Sequence, residues 1–130
     1  MPIPPETRTL IFAKLKTTLG KFTPPLVVSV DKENTAYEIM GNKPVPYGYD
    51  KKIVPGMYFA SIAQRSDSVT MHFFPIYMNM KLMEAAPSLH KHLKGKTCFH
   101  FKKVEQVDEK ELAALLELGV DAWYKSGYML

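Results

Sequence analysis

Cysteine is nearly absent from this sequence, and long apolar runs are missing altogether. The single cysteine, Cys98, has no partner for an internal disulfide, which excludes a disulfide-stapled fold. No apolar stretch approaches the roughly 20 residues that a membrane-spanning helix needs. The first residues also lack the basic region and the apolar core of a secretory signal peptide. These absences predict a soluble, cytoplasmic protein without a membrane partner.

Charge of one sign is in small excess only, because 17 basic residues face 13 acidic ones and leave a formal net charge of +4. A nucleic-acid-binding protein usually combines basic residues with exposed aromatics or a groove-reading element, and neither pattern is present. We therefore expect no nucleic acid as a partner. The content of 46% hydrophobic and 23% charged residues is typical of a folded globular chain. At this length, residues 1–130 fit one domain.

The first part of the chain predicts one helix followed by two strands. A helix begins at Pro5, and its apolar positions follow one helical face at Ile11, Phe12, Leu15 and Leu19. Residues 26–30 and 35–40 have strand composition and are joined by a polar turn, so they predict a hairpin. Residues 41–56 are rich in proline and glycine and predict an irregular loop, either a lid over a binding site or a structural flap.

A second hairpin lies at the centre of the chain. Two strand-like runs, residues 57–63 and 69–74, flank a polar turn centred on Ser66 and Asp67. The period of two predicts one apolar face on which Tyr58, Ala60 and Ile62 lie opposite Phe73, Met71 and Val69. The other face is mixed, and on it Phe59, Ser61 and Ala63 lie opposite Phe74, His72 and Thr70.

The later part of the chain predicts short helices, a last strand and a terminal helix. Residues 76–86 bend into a short helix, and Pro87 begins another that continues through Leu93. Residues 96–102 alternate as a strand. Asp108 caps the terminal helix, which carries an apolar stripe as far as Trp123.

These elements together predict an α+β fold. We expect a single antiparallel sheet of about five strands, built from two hairpins plus a last strand. Amphipathic helices from both ends of the chain pack on this sheet, and short helices lie between strands.

The mixed face of the central hairpin holds the candidate ligand-binding site. The candidate residues are Ser61, Thr70, His72, His100, Tyr47 and Tyr49. We expect His72 to hydrogen bond the ligand, with His100 nearby on the last strand and Tyr47 or Tyr49 closing over it. The alternative is that this face is covered by the loop of residues 41–56 or by a second copy in a homodimer.

The sequence predicts neither a catalytic site nor a metal site. His90 and His92 are two residues apart on a predicted helix, so their side chains point in different directions. No H-E-x-x-H motif, C-x-x-C pair, glycine-rich phosphate loop or nucleophile elbow occurs. We therefore expect no catalytic residue, no metal and no cofactor.

Three segments of the later part resemble the YdhG-like family, known as domain of unknown function 1801. They are residues 58–62, 69–74 and 93–102, and with the terminal helix the match covers roughly residues 57–128. The resemblance implies an α+β domain whose antiparallel sheet carries helices from both ends of the chain. Some members are described as frataxin-like iron chaperones, which implies iron handling as an alternative function. That activity requires an acidic ridge, whereas the first helix carries Arg8, Lys14 and Lys16 beside Glu6.

The expected function is that of a small, non-enzymatic binding or adaptor module for an anionic small molecule or a protein partner. Two alternatives stay open. One is a frataxin-like iron-handling chaperone, and the other is a small hydrolase or transferase that uses the His72 face of the sheet.

Overall fold

The structure, a computed structural model, describes residues 3–33, 35–47 and 50–130. Its α-helices are α1 (Pro5–Gly20), α2 (Pro75–Met78), α3 (Pro87–His90) and α4 (Glu109–Lys125), and 3-10 helices span Met80–Ala85 and Val104–Gln106. Its strands are β1 (Val27–Lys32), β2 (Ala36–Met40), β3 (Val45–Tyr47), β4 (Lys52–Val54), β5 (Tyr58–Gln64), β6 (Val69–Phe73), β7 (Leu93–Lys94) and β8 (Cys98–Phe101). In the described ranges, no helix combines the length and the apolar character that crossing a membrane requires.

A six-stranded antiparallel sheet has the strand order β1-β2-β5-β6-β8-β7. The two predicted hairpins, β1–β2 and β5–β6, lie side by side in it, and the last predicted strand, β8, pairs with β6. The prediction of an α+β fold with an antiparallel sheet and helices from both ends of the chain is confirmed.

The core lies between one face of this sheet and the two long helices. The apolar stripe of α1 is fully buried, as are Leu112, Leu116 and Trp123 of α4. Gly119 allows α4 to approach closely, because a Cβ at this position would lie 2.6 Å from Phe73 Cζ. Trp123 is also held by a hydrogen bond that its indole N–H donates to the Met57 carbonyl over 3.4 Å.

The prediction that residues 41–56 lack regular structure was wrong. This segment contains β3 and β4, which pair as a separate two-stranded sheet with Val45 opposite Val54 and Tyr47 opposite Lys52. Pro46 is tolerated because each strand has only one neighbour, so the missing N–H of proline need not serve a second ladder. Burial of Val45 ties the hairpin to the core.

The segment after Pro87 also differs from its prediction. Helix α3 ends at His90, and Leu93 lies in β7 rather than in a helix. Leu93 pairs with Phe99, so its side chain joins the apolar face of the sheet. Gly95 has a φ of 78° and forms the turn between β7 and β8, a conformation that glycine adopts without strain.

The central hairpin keeps its predicted faces at most positions. The predicted pairs Ser61 with His72 and Ala63 with Thr70 on the mixed face are confirmed, whereas the predicted pairs on the apolar face are shifted by two residues. Ala60 pairs with Phe73 and Ile62 with Met71. A shift of two leaves each side chain on its face, because the strand period is two.

A β-bulge overturns the predicted faces of Tyr58 and Phe59. Ile39 pairs with Ala60 but Met40 pairs with Tyr58, so Phe59 is an extra residue in β5. Phe59 is therefore buried with the core, where its ring meets Trp123 edge to face at 5.5 Å between centroids. Tyr58 lies on the opposite side of the sheet.

Candidate functional site

Helices α1 and α4 pack on one face of the six-stranded sheet, and the opposite face carries the candidate site. We call this the outer face and define it by Ser61, Thr70, His72, Cys98 and His100. Ser61 pairs with His72 and His72 with Cys98, while Thr70 pairs with His100. Paired residues of antiparallel strands project to the same side of a sheet. The register thus brings together four of the predicted site residues.

The paired residues Ser61, His72 and Cys98 form a row across the sheet, and the charge of their neighbours differs between the two ends of this row. Lys94 of β7 pairs with Cys98, and Glu38 of β2 pairs with Ser61. Arg65, in the turn after β5, adds positive charge near His72 and Cys98, and this charge acts to lower the pKa values of both. The row therefore has a carboxylate beside Ser61 and a lysine beside Cys98, with Arg65 as a further positive charge near His72.

His72 is exposed, and its Nδ1 lies 3.4 Å from the Thr97 hydroxyl. Partial burial lowers the pKa of the imidazole, and the charges of Arg65 and His100 lower it further. The ring is therefore mostly neutral at neutral pH, and it offers one hydrogen-bond donor and one acceptor.

Cys98 and His100 lie close together on β8, with 3.4 Å between Sγ and Nε2. Burial raises the pKa of the Cys98 thiol, and the charge of Arg65 offsets this only in part. The thiol is therefore protonated at neutral pH, unlike the thiolate of a reactive cysteine.

Tyr58 fixes the hydroxyl group of Ser61 at this face. The two oxygens are 2.6 Å apart. Burial raises the pKa of Tyr58 to about 12, although the bond to Ser61 acts in the opposite direction. Tyr58 is thus a neutral phenol, and its partner Ser61 is held by a hydroxyl rather than by a base.

The remaining predicted site residues have other surroundings. Thr70 is only 5% exposed, and its hydroxyl donates to the Ala63 carbonyl over 3.4 Å. Tyr47 lies in β3 of the separate two-stranded sheet and is 48% exposed. Tyr49 lies outside the described residues. The lid formed by Tyr47 or Tyr49 therefore stays a prediction.

Sequence reasoning did not include several residues that the register places on or beside this face. They are Glu38, Tyr58, Arg65, Lys94 and Thr97. No local signal pointed to Lys94, because its strand has two residues and is recognisable only from its pairing.

Three grooves of the surface lie elsewhere. Grooves of about 280 and 370 Å³ meet at Met80, and a third of about 410 Å³ lies against α1 at Leu10. None of these three is lined by Ser61 or His72. A ligand on the outer face would therefore bind on an open platform rather than inside one of these grooves.

Metal ligation has little support in the part of the chain that the structure describes. No group of three or more His, Cys, Asp or Glu side chains there is arranged to hold a metal ion. Cys98 and His100 form a pair, which is fewer than the three protein ligands of a catalytic zinc site or the four of a structural one.

Comparisons with protein-family models, with curated proteins and with solved structures found no match to this chain. The resemblance to the YdhG-like family therefore stays a prediction from the sequence.

Proposed function

We propose that this protein is a cytoplasmic, non-enzymatic module that binds an anionic small molecule on the outer face of its sheet. The observation that carries the proposal is the placement of His72 and His100 in adjacent cross-strand pairs, beside the positive charge of Arg65. Charged and neutral hydrogen-bond donors that converge on one surface favour carboxylate or phosphate groups.

Proton uptake accompanies binding in this proposal. The pKa of free His72 is lowered, so most molecules carry a neutral imidazole at neutral pH. A bound anion stabilises the imidazolium and raises that pKa. Affinity therefore increases as the pH falls toward and below 6.5, the ordinary value for histidine.

The non-enzymatic part of the proposal is supported by the state of the potential nucleophiles. The hydroxyl of Ser61 is bonded to neutral Tyr58. The thiol of Cys98 has a raised pKa. An activated nucleophile needs an adjacent base or a lowered pKa. His100 Nε2 does lie 3.4 Å from the Cys98 thiol, but the raised pKa of that thiol keeps it protonated at neutral pH.

An NMR titration of the full chain with inorganic phosphate, and separately with citrate, tests the proposal. We expect both anions to shift the imidazole signals of His72 and His100, with stronger binding at lower pH. His72→Gln and Arg65→Gln each remove a charge-assisted hydrogen bond, which weakens binding by about tenfold.

His90→Gln is the matched control, because His90 is an exposed histidine on α3 rather than on the sheet. It should bind both anions as the wild type does. The proposal is overturned if His90→Gln weakens anion binding as much as His72→Gln does. It is also overturned if neither anion shifts the imidazole signals of His72 and His100.

A further inference from the structure

The segment that joins β6 to β7 exposes three large apolar side chains. Tyr77 is 58% exposed, Met78 51% and Met80 46%. We call residues 77–80 the Tyr–Met patch. Clustered exposed apolar residues mark interaction surfaces more often than scattered ones do. Methionine also suits such surfaces, since its flexible thioether adapts to different partners.

Two grooves flank Met80, and each has an apolar side chain at its base. The groove of about 280 Å³ is bordered by Tyr77, Met80, Gly95 and Lys96 over the buried Ile76. The groove of about 370 Å³ runs from Met80 past Lys81 and Glu84 to Pro87 and His90 over the buried Met83. Met80 thus separates two concave sites that are each large enough for an apolar side chain.

The surroundings of the Tyr–Met patch are basic. Residues 76–96 contain four lysines and one glutamate. Lys81 and Lys96 border the grooves themselves. The charges of Lys91 and Lys94 add to burial in lowering the pKa of His92, so both lysines lie near this side chain.

We propose that the Tyr–Met patch and its two grooves dock an extended acidic segment of a partner protein. Apolar side chains of the segment fill the grooves on either side of Met80. Its carboxylates face Lys81 and Lys96, and this charge complementarity sets which partner binds. The site is separate from the outer face, so it does not depend on anion binding by His72.

A peptide fits this surface better than a membrane or a nucleic acid. Exposed apolar side chains alone would also suit a lipid surface. The exposed side chains of the Tyr–Met patch, however, lie beside two grooves lined in part by the buried Ile76 and Met83, and a groove accommodates a side chain of a peptide. Single-stranded nucleic acid needs an aromatic face for base stacking. Phe74 already stacks on Tyr77 with an angle of 10° between the ring planes, and the Lys96 ammonium lies over the Tyr77 ring, 5.4 Å from its centroid. These two neighbours already occupy the ring on which a base would stack.

The test begins with selection of a phage-displayed library of random peptides on the immobilised full chain. We expect the enriched peptides to combine Asp or Glu with Leu, Phe or Met. Synthetic versions of them are then measured by fluorescence anisotropy. Met80→Gln and Lys96→Glu should each weaken binding by about tenfold or more, and added salt should weaken it as well.

Matched controls separate this site from general stickiness or charge. Leu10→Gln removes an apolar side chain on α1 that is 59% exposed, against 46% for Met80, and Lys110→Glu reverses an exposed lysine on α4. Both should bind the peptides as the wild type does. Two outcomes overturn the proposal: enriched peptides that lack acidic residues, and binding that is indifferent to Met80→Gln and Lys96→Glu.

Two further probes test whether a lipid surface or a nucleic acid occupies the Tyr–Met patch instead of a peptide. Vesicles of phosphatidylcholine and phosphatidylglycerol, and a single-stranded oligonucleotide, should bind no better to the wild type than to Met80→Gln. If the wild type binds no peptide but binds one of these probes tightly, and Met80→Gln abolishes that binding, then the patch belongs to a lipid surface or to nucleic acid instead.

Discussion

Three titratable side chains on or beside the outer face are held in their neutral forms, and burial is the first cause for each. It lowers the pKa of His72 and raises the pKa values of Tyr58 and Cys98. Arg65 acts on two of them, lowering the pKa of His72 further and opposing the rise for Cys98. The face is therefore a set of neutral donors and acceptors whose positive charge comes from its border.

The raised pKa of Tyr58 predicts how the stability of the fold responds to alkaline pH. Its pKa rises from 10.0 in the unfolded chain to about 12 in the folded protein, so the native state holds this proton more tightly. The resulting stabilisation is complete below pH 10 and is lost as the pH rises to about 12. Denaturant unfolding across this range should show a smaller alkaline loss of stability for Tyr58→Phe than for the wild type.

Tyr124→Phe is the control for this experiment, because Tyr124 is 44% exposed on α4. Its alkaline loss of stability should match that of the wild type. The same alkaline profile in Tyr58→Phe and the wild type would mean that Tyr58 is not buried as described.

At the scale of elements, the approach of α4 to the sheet depends on one missing side chain. Alanine normally stabilises a helix relative to glycine by about 1 kcal/mol. At position 119 its Cβ would lie 2.6 Å from Phe73 Cζ and 2.9 Å from Phe59 Cζ. Because both rings are fully buried, we expect Gly119→Ala to destabilise the protein by about 1–3 kcal/mol in denaturant melts.

Gly20→Ala provides the opposite case within the same fold. Gly20 is the last residue of α1, and a Cβ there would come no closer than 3.9 Å to the Tyr37 hydroxyl. This variant should be neutral or slightly stabilised. A stabilised Gly119→Ala variant would show that α4 is not packed this closely.

Trp123 provides a second test of how α4 packs on the sheet, in which a large buried side chain is removed rather than a methyl group added. It is fully buried, and it contacts Phe59, Phe74 and Tyr128 edge to face. Trp123→Ala should therefore destabilise the protein by about 3–5 kcal/mol. Tyr124→Ala, at the next and exposed position of α4, should have a much smaller effect in the same denaturant melts. A loss below roughly 1 kcal/mol for Trp123→Ala contradicts the packing of α4.

At the scale of the whole molecule, affinity for metal ions distinguishes the proposed anion-binding module from the alternative of an iron-handling chaperone. We expect ferrous and zinc ions to bind no more tightly than about micromolar at neutral pH, because Cys98 and His100 are too few ligands. Calorimetric titration of the full chain measures this. Stoichiometric iron that survives dialysis would favour the iron-handling alternative.

Local patterns in the sequence predicted α1, the central hairpin, β8 and the capped start of α4. Asp108 shows why, since its side chain accepts a hydrogen bond from the Glu111 N–H within the same turn. Interactions of this range are encoded by neighbouring residues and can be recognised without knowing the rest of the fold.

Tertiary structure decided which further side chains join Ser61, Thr70 and His72 on the outer face. The bulge at Phe59 exchanges the faces of Phe59 and Tyr58, and it lies where β5 pairs with β2, which is distant in sequence. Local alternation around the turn predicts Ser61 opposite His72, whereas Cys98 joins them only through the register of β6–β8. Strand pairing depends on contacts between distant segments, so alternation predicts which residues share a face of one strand but not which residues of other strands lie beside them.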